Sequence, residues 1–179
     1  VQGSACALPF ADRAFDAVVS IDVLCHSGVE ERQAIEEAAR VLRPGGRLLV
    51  QVPAFDWLRG EHDAAVWTKR RYRRSEIAAL LTGAGLSARR VGYRNSILFP
   101  VAAVVRLVRR GRRVREEARS DVRPAPASIN TLLTGVLAFE RSLPFAFPFG
   151  LSVFGVGEKR DGGDSMRDSP GPEERRRTG

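Results

Sequence analysis

The stretch "RVLRPGGRLLVQVP", residues 40–53, decides how this chain folds. Its first residues carry on a helical pattern, its last ones form an apolar strand, and Pro-Gly-Gly stands between them. Pro44 has no backbone N–H and forbids helix continuation. Gly45 and Gly46 permit the positive φ angles of a tight exit. Upstream, Ala34, Ile35, Ala38, Ala39, Val41 and Leu42 recur at helical spacing, which predicts a helix running to Leu42. "SGVE" at residues 27–30 has the Ser-x-x-Glu spacing of a capping box and marks its start. Before that, "FDAVVSIDVL" reads as a buried strand from Phe15 to about Ile21, because parallel strands covered on both faces are continuous apolar runs. Strand, helix and strand in this order make the two strands parallel neighbours joined by a right-handed crossover.

The alternation continues downstream. Ser75 is placed to cap a helix bearing Ile77, Leu80, Leu81 and Ala84, and Gly85 ends it. Leu86–Arg94 reads as a third strand, followed by an apolar helix near Ile97–Arg110. An Arg-rich run and the linker "RPAPAS" lead to a second apolar helix at about Ile129–Leu143, and Gly150–Lys159 reads as a last strand. From residue 160 the sequence holds Gly, Pro, Ser and charges without apolar period, which predicts a disordered tail.

Composition bounds the rest. The 179 residues are 44% hydrophobic, enough for one domain with a real core. The net charge of +8 comes almost wholly from arginine, with lysine only at Lys69 and Lys159; such usage follows genome base composition as readily as phosphate recognition. Cys6 and Cys25 lack the spacing of a metal site or a disulfide framework, so no metal is expected and a reducing, cytoplasmic setting is the default. The first residues lack the basic and apolar regions of a signal peptide. The apolar run Ile97–Val105 is shorter than the ~20 residues that span a bilayer. The chain opens on Val1 in mid-pattern, which suggests a piece of a longer protein.

The order and spacing of "LPF", "FDAVVSIDVL", "RVLRPGG" and the strand after it resemble the second half of class I S-adenosylmethionine-dependent methyltransferases, nearest the small-molecule type that includes the ubiquinone-pathway O-methyltransferases. The resemblance covers residue 1 to about residue 100, and 150–159 more loosely. It implies an α/β fold with a partial Rossmann-like sheet: Phe15–Ile21 as strand 4, Arg47–Val52 as strand 5, Leu86–Arg94 as strand 6, Gly150–Lys159 as antiparallel strand 7, and Val1 to about Ala5 as the end of strand 3. Residues 1–95 would then be the C-terminal part of the Rossmann-like domain, 96–149 a helical insertion or lid, 150–159 the final strand and 160–179 the tail. Strands 1 and 2 of that family, its glycine-rich loop and its ribose-binding acid have no counterpart here. Strand 4 pairs with strand 1 in the family, so its edge would be bare, and a bare apolar edge invites association.

The resemblance also implies site residues. Ser4 and Ala5 stand where the family contacts the adenine ring, and Ser20, Ile21 and Asp22 leave strand 4 beside the methionine part of the cofactor. His26 matches a frequent family histidine; it can act as general base on an acceptor hydroxyl or fix the loop. The family often has Glu just before it, where Cys25 stands here. After strand 5, His62, Asp63, Arg71 and Tyr72 are substrate-binding candidates, set against the plainer reading of a solvated loop. The cofactor would be S-adenosyl-L-methionine, which carries an already activated methyl group.

Two functions follow as expectations. One is methyl transfer to a small-molecule acceptor by the C-terminal part of such an enzyme. The other is a catalytically inactive remnant that binds a partner or a membrane surface. Residues 106–119 hold seven arginines against Glu116 and Glu117, so peripheral membrane contact through 97–119 is one route. No nucleic-acid reader motif accompanies them, so no nucleic-acid partner is expected. The two apolar helices could also pair between chains as a homo-oligomer.

Overall fold

The computed structural model describes residues 2–59, 63, 66–104, 126–143 and 147–160. Four strands form one mixed sheet in the order β1-β2-β4-β3, with β1 at Phe15–Ile21, β2 at Leu42–Pro53, β3 at Leu86–Arg94 and β4 at Ser152–Lys159. β1 and β2 are parallel, and β4 is antiparallel to both β2 and β3. This is the 4-5-7-6 half of the expected sheet, a Rossmann-like α/β arrangement. The expected end of strand 3 adds nothing to it: Ser4 and Ala7 make an isolated antiparallel bridge across a turn.

The helices are α1 at Glu31–Val41, α2 at Arg74–Gly83 and α3 at Ala127–Ser142. Residues 99–104 are also helical. The expected helix near Ile97–Arg110 lies outside the described residues beyond 104, and so does the tail after 160.

Two helix starts differ from the sequence expectation. Glu30, not Ser27, caps α1, its carboxylate accepting from Gln33 N–H at 2.6 Å. The Ser27 N–H, which a capping box would pair with Glu30, donates instead to Trp67 O at 3.2 Å. Arg73, not Ser75, is the N-cap of α2, and its N–H donates to Glu76 Oε2 at 2.7 Å.

Pro44-Gly45-Gly46 stops α1 as expected, but it lies inside β2 as a bulge. Phe15 pairs with Leu42, and Ala17 already pairs with Arg47, so β2 loops out between them. Gly45 takes φ +75°, and a Cβ on Gly46 would lie 2.8 Å from Arg43 O and 3.2 Å from Asp16 O. The motif therefore lets the chain reverse out of the helix while the ladder to β1 is already under way.

The core lies on one face of the sheet. Leu48, Val50 and Val52, alternate residues of β2, are fully buried there with Ile35 of α1 and Ile77 and Leu81 of α2. Gly155 of β4 lets α2 come close, since a Cβ there would meet Ile77 Cγ2 at 2.7 Å. The other face is open at one end. Val19 and Ile21 of β1 are 62% and 56% exposed, so β1 is covered on one face only, not on both as its apolar run suggests. Among the described residues β1 also has no neighbour on its outer edge.

Candidate functional site

The carboxyl ends of β1 and β2 point the same way, and ligands of open parallel sheets bind outside such ends. Two connecting segments leave there, residues 22–30 from β1 and, after β2, the described residues 54–59, 63 and 66–73. They are tied together closely. Lys69 N–H donates to Cys25 O at 2.6 Å, and Ser27 N–H to Trp67 O at 3.2 Å. His26 and Thr68 form an antiparallel bridge. The Tyr72 hydroxyl donates to Leu24 O at 2.8 Å.

At the exit of β1, Asp22 extends the ladder by one step, its N–H donating to Gln51 O at 2.8 Å, and then turns the chain with φ +54°. The Asp22 carboxyl is pushed up from its ordinary value by desolvation, against the pull of His26 and Arg71. Cys25 is buried, its thiol donates to Asp22 O at 3.1 Å, and burial together with the Asp22 charge raises its pKa. That thiol is therefore kept protonated and is no thiolate nucleophile. His26 is half-buried beside them.

Ser4 is exposed, and its hydroxyl accepts from Cys6 N–H at 3.2 Å. Ala5 and Ser20 meet at one apolar cleft of about 180 Å³ whose walls also include Val18, Val23 and Ile35. Ile21 stays outside it on the open face. Of the five residues implied for the cofactor, the structure thus brings Ala5 and Ser20 to one cavity and leaves Ser4, Ile21 and Asp22 on the surrounding surface. Apolar walls of this kind suit one side of a planar ring. No glycine-rich turn faces them among the described residues.

The four residues implied for the substrate divide differently. His62 lies outside the described residues. Asp63 and Arg71 are brought together, but on each other: Arg71 Nε donates to Asp63 Oδ1 at 3.0 Å and Nη2 to Oδ2 at 3.1 Å, with both residues buried. Arg71 Nη1 donates to Ala54 O at 3.1 Å. The fork is thereby committed within the protein, and it braces the exit of β2. Tyr72 is fully buried; burial first, and the Glu31 charge second, push its phenol pKa up. Its backbone continues alongside β2, with Tyr72 N–H to Pro53 O at 2.9 Å and Phe55 N–H to Tyr72 O at 3.0 Å.

A second cleft, about 310 Å³, lies where the loop after β2 meets the start of α2. Arg71, a substrate candidate of the sequence, lines it with Arg70, together with Asp56, Trp57, Arg73 and Glu76, which the sequence reading missed. Trp57 is 42% exposed there and touches Phe55 and Phe99, at ring separations of 6.2 and 5.9 Å. The signal was "FDW" directly after a strand end, an acid beside aromatics at the place where such sheets bind ligands.

Comparison with known proteins bears on this arrangement. Residues 1–50 match the methyltransferase domain family. A probable tRNA methyltransferase 9B of Mus musculus is 51% identical over 51 residues, 27% of this chain and 11% of that protein. The ubiquinone/menaquinone biosynthesis C-methyltransferase of Roseobacter denitrificans is 52% identical over 50 residues, 28% of this chain and 20% of its own length. The matched segments therefore span a fifth or less of these relatives. In structure, a S-adenosylmethionine-dependent methyltransferase of Thermotoga maritima, described as a possible histamine N-methyltransferase, superposes with a TM-score of 0.54 at 18% identity, over 89% of this chain and 63% of that one. Residues 1–50 are thus similar in sequence to the methyltransferase domain family, and the sheet shares its fold with the solved methyltransferase of Thermotoga maritima.

Proposed function

We propose that the chain serves S-adenosylmethionine-dependent methyl transfer to a small-molecule acceptor, as the C-terminal part of such an enzyme, in the cytoplasm. The observation that carries this reading is the pair of interlocked loops at the carboxyl ends of β1 and β2, on a sheet whose order matches the family. The described residues fit one side of a cofactor site. Ala5 and Ser20 would wall the adenine, and the backbone of Ile21 and Asp22 would face the methionine part, with Ser4 at the rim. The bare edge and open face of β1 are suited to a further strand and helix carrying the remaining contacts.

When bound, the cofactor supplies a methyl group already activated on sulfur. The protein has to align the acceptor and, where the acceptor is a hydroxyl, remove its proton. His26 is assigned that proton. Asp63, Arg71 and Tyr72 act as positioning residues that hold the segment after β2 against His26. The cleft at Trp57 is the acceptor side.

The test is to express the chain with the coding sequence that lies in frame upstream of Val1 and to assay transfer of labelled methyl groups. Transfer that falls at least about tenfold in His26→Ala, with cofactor binding kept, supports the reading. An upstream frame without a strand and glycine-rich loop, or a longer protein that does not bind S-adenosylhomocysteine, sinks it in favour of an inactive binding module. A second acceptor class is favoured by the 51% identity to a tRNA methyltransferase. The same assay with tRNA as acceptor separates the two.

A further inference from the structure

α3 is apolar on a side that the described residues do not cover. Ile129, Leu132 and Phe139 fall on one helical stripe and are 48%, 67% and 61% exposed. The helix is held to the body at its far end, where the Glu140 carboxylate accepts from Ser96 N–H at 2.9 Å and Ile97 N–H at 3.0 Å. A second apolar pair, Val101 and Val104, is 65% and 60% exposed three residues apart on the helical residues 99–104. Scattered surface apolar residues need no explanation, but exposed apolar residues on two helical segments at either end of one basic stretch of sequence do.

Charge selects what covers them. The sequence joining the two segments, residues 105–126, holds eight arginines against Glu116, Glu117 and Asp121, and the whole chain carries +8. Copies of one strongly basic chain repel each other at such a surface. An anionic bilayer attracts it, and its acyl boundary accepts apolar side chains. Nucleic acid would answer the charge but not the apolar stripe. Among the described residues no helix is long and apolar enough to cross a membrane, and α3 has 16 residues. We propose that α3 and residues 99–104 lie in the surface of an anionic membrane, seating Ile129, Leu132, Phe139, Val101 and Val104 below the headgroups.

This inference does not depend on catalysis. The experiment is flotation of the protein with vesicles of phosphatidylcholine alone and of phosphatidylcholine mixed equally with phosphatidylglycerol. Binding is expected to the mixed vesicles, at least about tenfold weaker on the neutral ones, and weakening as salt rises. The double variant Leu132→Glu, Phe139→Glu should lose binding at least about tenfold, because two apolar anchors become charged. Both side chains are exposed, so the fold should persist; an unchanged circular dichroism spectrum checks this. Val19→Glu on the open face of β1 serves as the control and should leave flotation unaltered. Equal binding to both vesicle types, no binding to either, or loss of binding in Val19→Glu with none in the double variant overturns the proposal. So does a dimer in sedimentation velocity that the double variant dissolves, because α3 then covers a second copy.

Discussion

β1 and β2 are parallel neighbours of similar apolar content, yet the two strands meet different fates. On the core face Leu48, Val50 and Val52 of β2 are fully buried; on the opposite face Leu49 of β2 is 37% exposed, whereas Val19, its partner on β1, and Ile21 are 62% and 56% exposed. The difference is in their neighbours. β2 is hydrogen-bonded on both sides, by β1 and β4, and α1 and α2 cover its core face. Among the described residues β1 has one partner and one covered face. Side-chain hydrophobicity thus sets what a strand can bury, and the strands and helices around it set what it does bury.

That contrast can be broken or sharpened by mutation. The largest effect is expected where the exit of β2 is braced. Arg71→Ala leaves Asp63 buried without its cation and should cost about 3–5 kcal/mol in urea unfolding. A cost near zero would mean that Asp63 reaches water. Leu48→Ala should follow at about 2–5 kcal/mol, whereas Val19→Ala, one strand away, should stay within about 0.5 kcal/mol. Equal costs for the two would show that the outer face of β1 is covered in solution.

Tyr72→Phe removes the hydrogen bond that joins the loop after β2 to the loop after β1. It strands the buried Leu24 carbonyl, and about 1–3 kcal/mol should be lost in thermal or chemical unfolding. An unchanged stability would place water at that carbonyl. The bare edge should reveal itself as self-association: light scattering should find this chain aggregating as concentration rises, and Ile21→Lys reducing the effect. A monodisperse monomer in both proteins would mean that the edge is protected.

The smallest effect concerns acid. Glu37 accepts from Leu8 N–H at 2.8 Å and pairs with Arg40, which lowers its pKa to about 2. A depressed folded-state value means that its stabilisation is present above the ordinary 4.5 and is lost as pH falls from there through about 2. Glu37→Gln should flatten that limb of the stability profile, and a profile identical to the parent would remove Glu37 from the account.

Much of the fold was legible because it depends on local pattern. Pro44-Gly45-Gly46, the helical spacing from Ala34 to Val41 and the apolar run of β1 each name their element without knowledge of the rest. The bulge inside β2 was not legible, since it needs the register with Phe15 and Ala17. Nor was the cap of α1: Ser27 has the right spacing, but Trp67, forty residues on, takes its backbone donor.

The candidate site was legible in location more than in role. Asp63 and Arg71 share a charged loop, and sequence shows two groups that could meet a ligand. Only the folded chain shows them meeting each other, because a bidentate pair eight residues apart leaves no periodic trace. Trp57 escaped notice because an acid between two aromatics after a strand marks a ligand site only once the sheet places that strand end.

The placement of β4 has a consequence in time. Among the described strands it is the last in sequence, yet it stands between β2 and β3, which do not pair with each other. Its end also closes on α1, where Lys159 Nζ donates to Ala39 O and Leu42 O, both at 2.7 Å. A ribosome therefore has to deliver residue 159 before the sheet can close. Until then β2 and β3 each present an unpaired edge, and the chain between them must stay clear of the gap. Such late, non-local closure is slow. Synthesis of this protein would expose two sticky strands for as long as the stretch after β3 takes to translate, a window in which chaperones have the most to do.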